Sequence, residues 1–207
     1  MPTGATRTTR PAYTTATTRS ERSAARCDVD FLTSAPAGLW DGLLHPVLGL
    51  DHLFAMVCVG VVSALLGKAA VWTVPTLFVL AMAVGGVAGL NGVVVPHGER
   101  LIAASLIGLG LIIAMSALLP RQGLVPFWSA MAFVAVFGAA HGNAHGLEIP
   151  VTAGPAAFTV GFLFGTACLH LTGVFLGLCS NRQRWTAAAL KLGGMFTAAL
   201  GLGLLTR

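Results

Sequence analysis

The chain has 207 residues, of which 56% are hydrophobic and 9% charged, against about 25% charged in an ordinary soluble domain. That balance sets it apart from soluble globular proteins. The net charge of +5 calls for no nucleic-acid surface, because five of the twelve Lys and Arg residues fall within the first 26 positions.

Residues 1–36 are rich in Thr, Arg and Ala and nearly free of large apolar side chains. Such a segment cannot bury enough surface to fold alone. It lacks the apolar core of a secretory signal, and although its acid-poor composition is like that of a transit peptide, the simpler expectations are a disordered N-terminal tail or a start placed too far upstream. From residue 37 to 207 the chain reads as one transmembrane helical domain.

Six apolar spans follow in order: Pro46–Leu66, Val71–Val95, Leu101–Leu119, Val125–Leu147, Ala153–Cys179 and Trp185–Leu205. Each is near the roughly 20 residues needed to cross the hydrocarbon core, and the runs alternate too little for barrel strands. The expected fold is therefore all-α, a polytopic transmembrane helix bundle of about six spans. Pro46 suits the first turn of its helix, which places His45 beside the N-cap. Lys68, Arg121, Arg182 and Arg184 occupy odd-numbered loops while Arg100, Arg207 and the tail oppose them, so charge sets no orientation. Gly38 and Gly42, Gly142 and Gly146, Gly161 and Gly165, and Gly173 and Gly177 recur at the spacing that lets helix backbones approach in lipid, and packing within one bundle accounts for them. The scattered cysteines Cys27, Cys58, Cys168 and Cys179 read as buried small hydrophobes.

The informative residues are polar ones within these spans. A charge at the bilayer centre costs at least about 2.5–3.5 kcal/mol on insertion scales, so such groups face the bundle interior and mark pathways. The stretch HPVLGLDHLFAM (45–56) carries His45, Asp51 and His52 at the head of an apolar run. At about 100° per residue, His45, His52 and Met56 fall on one helix face, with Asp51 off that stripe and placed to orient a neighbour or bind a second site. HGNAHGLE (141–148) sets His141 and His145 at i, i+4 with Glu148 following. A continuous helix presents all three to one cation; a helix broken at Gly142 and Gly146 offers backbone carbonyls instead. His170 lies near the middle of the fifth span, where a plain helix–helix hydrogen bond explains it equally well. His97 and Glu99 stand in the break before the third span, and His97 reads as a loop residue. Imidazoles with a few carboxylates suit Zn, Cu, Fe or Ni rather than Mg or Ca. The residues alone reach a late first-row divalent cation and no further.

Two other classes fit less well. The histidine pair resembles a metalloprotease helix, but Gly142 stands where the glutamate base is needed, and GVVSALLGKAA lacks the glycine and hydroxyl positions of a P-loop. A haem-carrying electron-transfer protein would use bundle histidines as axial ligands.

HPVLGLDHLFAMVCVG resembles the HP-x-x-G-x-D-H-x-x-x-M-x-x-V-G signature of the HupE/UreJ family of hydrogenase and urease accessory membrane proteins. ERLIAASLIGLGLII, FGAAHGNAHGLE and GFLFGTACLHLTGVFLG extend the similarity over about residues 38–206. The resemblance implies a nickel permease of a bacterial cytoplasmic membrane, with cobalt left open, no tightly bound cofactor, and a link to hydrogenase or urease maturation. By that resemblance the metal-handling residues are His45, Asp51, His52, Met56, Glu99, His141, His145, Glu148 and His170. The hydrophilic N-terminus departs from the signal-like start of many members.

Overall fold

The computed structural model describes residues 37–67, 69–116, 126–149, 155–180 and 183–206. The expected tail at 1–36 lies outside the described residues. The described residues form seven helices: α1 Ala37–Leu48, α2 Leu50–Leu66, α3 Ala70–Leu90, α4 Gly98–Met115, α5 Phe127–Glu148, α6 Pro155–Ser180 and α7 Arg184–Leu205. No strand occurs among the described residues.

α3, α4, α6 and α7 are each long and apolar enough to cross a membrane, and α1 with α2 qualifies as one span bent by 79°. α5 has 22 residues, about 33 Å at 1.5 Å per residue. Its histidines, Asn143 and Glu148 make it less apolar than α4 and α6, and it packs along α3. The chain is thus a polytopic helical membrane protein.

The first span is not the single helix expected from its sequence. Pro46 lies near the end of α1 rather than in a first turn, and His45 is a helical residue rather than the neighbour of an N-cap. Proline has no N–H to return to the preceding turn, so α1 ends at Leu48 and α2 restarts from Gly49 in extended backbone (φ −83°, ψ 112°). His45, His52 and Met56 therefore do not share one continuous helix face. The elbow, not the helical repeat, sets their relation.

Three helix pairs dominate the packing: α2 with α6, α3 with α5, and α4 with α7. The first two pairs run parallel and the third antiparallel. The glycine contacts follow that pattern. A Cβ on Gly85 would strike the Ala139 carbonyl and one on Gly142 the Met82 carbonyl, while Gly110 meets Gly194 and Gly201 meets Ala103. Gly142 and Gly146 thus serve the α3–α5 contact. They do not break α5, which is continuous.

Met56, Val59, Val74, Phe78, Met82 and Leu109 belong to the buried core. Trp72, Trp128, Phe164, Phe175 and Leu192 stand on the outer surface, as an apolar solvent permits. Of the cysteines expected to be buried, Cys58 is, whereas Cys168 is exposed on α6; in a bilayer the outward face of a span is as apolar as the inward one.

Candidate metal site

The elbow between α1 and α2 swings His45 and His52 toward the C-terminal half of α5. His45 Nε2 and His145 Nδ1 share a hydrogen bond of 3.2 Å. One ligand atom from each of His45, His145 and Glu148 lies within 4.8 Å of the other two. Metal–nitrogen bonds run near 2.0–2.1 Å for an ion such as zinc, which places ligand atoms about 3–4 Å apart, so modest side-chain rotation closes this trio on one ion. The proton between His45 and His145 occupies a lone pair that a cation would use, and metal binding displaces it.

His52 extends the group inward. Its Nδ1–H donates to Asp51 Oδ1 at 2.7 Å, which leaves Nε2 as the free lone pair. Gly49 makes that pairing possible: a Cβ there would stand 3.0 Å from His52 Nδ1 and 3.2 Å from Asp51 Oδ1. His141 is held the same way by α5 itself, with Nδ1–H donating to the Phe137 carbonyl at 2.9 Å. His52 Nε2, His141 Nε2 and His145 Nε2 are all buried without a partner. The ring centroids step from His45 to His145 at 4.9 Å, to His52 at 4.2 Å, and on to His141 at 5.5 Å.

Beyond His141 stands Phe78 of α3, edge-on to His141 at 5.7 Å and to His170 at 5.2 Å. His170 is 1% exposed, and neither of its ring nitrogens has a partner. The helix–helix hydrogen bond that would have explained it is not formed. One turn earlier on α6, Thr166 is fully buried with an unpartnered hydroxyl. An unsatisfied buried polar group costs about 1–3 kcal/mol. Here these groups are gathered in one region rather than spread over the bundle.

Two cavities flank the line. One of about 320 Å³ opens onto His45, His145 and Glu148, at the end of the bundle where α5 finishes. The other, about 280 Å³, is a groove on the outer face of α3 and α6, toward the end where α3 begins, with exposed Trp72, Leu80 and Leu171 on its walls and His170 at its floor. α3 and α5 are parallel, so the two lie toward opposite ends of the bundle.

Met56 is fully buried in the core one turn below His52. Glu99 is exposed in the first turn of α4 and takes part in no ion pair or side-chain hydrogen bond among the described residues. His97 is an exposed loop residue with a left-handed backbone (φ 59°) at the start of α4. Sequence reasoning missed the supporting cast. Asn143 accepts from Val95 N–H at 3.0 Å and donates to the Val93 carbonyl at 2.8 Å, pinning the α3–α4 loop beside the site. Phe158 and Phe162 of α6 flank His45, and Phe162 also flanks His145 at 4.4 Å. With Thr166 and His170 they recur every four residues on α6, and that spacing was the available signal.

The sequence model of the HupE / UreJ protein family matches residues 24–204. The chain is 40% identical over 145 residues to a protein of Rhizobium leguminosarum bv. viciae named Protein HupE, an alignment covering 70% of this chain and 72% of the relative. No solved structure matches it.

Proposed function

The chain belongs to the HupE / UreJ protein family, and from that premise we propose that it is a permease that carries nickel, with cobalt as the second ion of the same chemistry, across a bacterial cytoplasmic membrane for hydrogenase or urease maturation. Residues 37–207 form the transport unit in this reading.

The observation that carries the proposal is the convergence of imidazoles from separate helices. His45, His145 and Glu148 can close on one cation at the mouth, and His52 and His141 turn their free Nε2 atoms inward behind it. Imidazole with a single carboxylate binds late first-row divalent ions well and discriminates against magnesium, which holds its waters and demands an octahedral oxygen shell. The cation sheds water at the mouth, exchanges oxygen for nitrogen ligands, and moves between imidazoles already held in ligating orientation. No ligand set is so complete that release becomes slow. Phe78 separates His141 from His170, so passage past it requires a side-chain movement, and His170 is the next imidazole beyond it. Met56 and Glu99 enter this scheme on the family resemblance alone.

Uptake of radiolabelled nickel by cells expressing the protein tests the assignment, with cobalt, zinc and magnesium as competitors. Nickel accumulation inhibited by a modest excess of cobalt and indifferent to magnesium is expected. Accumulation no greater than in control cells, or strong competition by magnesium, contradicts it.

A further inference from the structure

The cavity above the His45–His145–Glu148 trio contains one charged residue that neither the two histidine motifs nor the trio includes. Asp41 lies on α1 one turn before His45, on the same helix face, and lines the cavity together with His45, His145 and Glu148. We propose that Asp41 is the capture residue of an outer vestibule, which holds the divalent cation with its water shell before the histidines take it. The proposal rests on the transport reading above and adds an earlier station to it.

Size, charge and an unpaired donor support this assignment. A water molecule needs about 10–15 Å³ of such space, so a cavity of about 320 Å³ admits an ion with its entire first hydration shell. Where His145 meets Phe158 and Phe162 on its other side, the adjoining void is only about 40 Å³, too small for a hydrated ion. Of these two spaces against His145, the vestibule is therefore the one that admits the hydrated ion. Asp41 and Glu148 are both exposed, and neither is in an ion pair among the described residues, where Asp51–His52 is the pair formed. Two carboxylates on the walls of an apolar-sided cleft focus their field into it and raise the local cation concentration. Helix-dipole stabilisation does not account for Asp41, since that effect is confined to the first turn and Asp41 is in the second. At the floor, His145 is 4% exposed, with an unpartnered Nε2, a ligand atom waiting behind the acidic mouth. The carboxylates hold the aqua ion through its waters, and Glu148, shared by both groups, passes it to nitrogen.

The test is the kinetics of radiolabelled nickel entry into proteoliposomes containing the full chain, as wild type, Asp41→Asn, Asp41→Glu and His145→Ala. Asp41→Asn should raise KM roughly tenfold at low ionic strength with the maximal rate unchanged, and the difference should shrink as salt screens the mouth. Asp41→Glu should restore the wild-type KM. An unchanged KM in Asp41→Asn beside a wild type that transports nickel and a dead His145→Ala overturns the role of Asp41 alone. A lower maximal rate with KM unchanged also overturns it, because that marks a structural effect. A wild type that neither binds nor transports nickel overturns the transport reading and the vestibule with it.

Discussion

In the proposed route, Asp51 acts on the metal through another residue. Its carboxylate holds His52 Nδ1–H at 2.7 Å, which fixes both the tautomer and the ring plane. Asp51→Asn keeps the shape but weakens the acceptor, and loss of such an orienting partner typically lowers metal affinity about 10–100-fold. Nickel binding to the purified variant should fall by that order, and unchanged affinity would show that His52 is oriented by other means. Protons compete with the metal for the same lone pairs, so affinity should weaken as pH falls. Titration calorimetry on the purified protein separates this from any proton-driven flux, and affinity that stays flat between roughly pH 5.5 and 7.5 contradicts histidine ligation. Histidines were legible in the sequence because an imidazole in a membrane span is conspicuous. Phe78, Phe158, Phe162 and Thr166 were not. In lipid the outward face of a helix is as apolar as the inward one, so an aromatic residue carries no mark of which way it points until its neighbours are known.

At the scale of elements, the contact between α3 and α5 sets the site, because it holds His141 and His145 at a fixed depth. Gly142 lies between those histidines with its backbone against the Met82 carbonyl. Gly142→Val would force the helices apart, at a cost of about 1–3 kcal/mol or more, while Gly203, where an added Cβ would meet nothing within 4 Å, should accept Ala freely. Thermal unfolding in detergent should show a marked loss of stability for the first and none for the second; equal behaviour would contradict the close α3–α5 packing. The elbow at Gly49 was the element hardest to read. Pro46 fits a first helical turn and the end of a helix equally well, and apolar Leu39, Leu43 and Leu44 look like a lead-in to one span. The spans themselves were legible because their length and apolarity are imposed by the bilayer. Which helices pair was not, since four-residue glycine spacing occurs on several of them and names no partner.

The molecule as a whole runs a line of imidazoles inward from the cavity at the end of α5, drawn from the α1–α2 elbow, α5 and α6 and interrupted by Phe78. The elbow brings the two histidine motifs together although α2 and α5 are not a principal packing pair, so separate sequence clusters meet at one place. His145 is the member shared by the mouth and the interior, hydrogen-bonded to His45 and 4.2 Å from the His52 ring. The most direct measurement is therefore the initial rate of radiolabelled nickel entry into proteoliposomes holding either wild type or His145→Ala, each shown to be folded by its elution and unfolding temperature. Rapid entry with the wild type, lowered at least about tenfold in the variant, is the result expected of a route through His145. Equal rates in the two, or wild-type entry no faster than into empty liposomes, would contradict it.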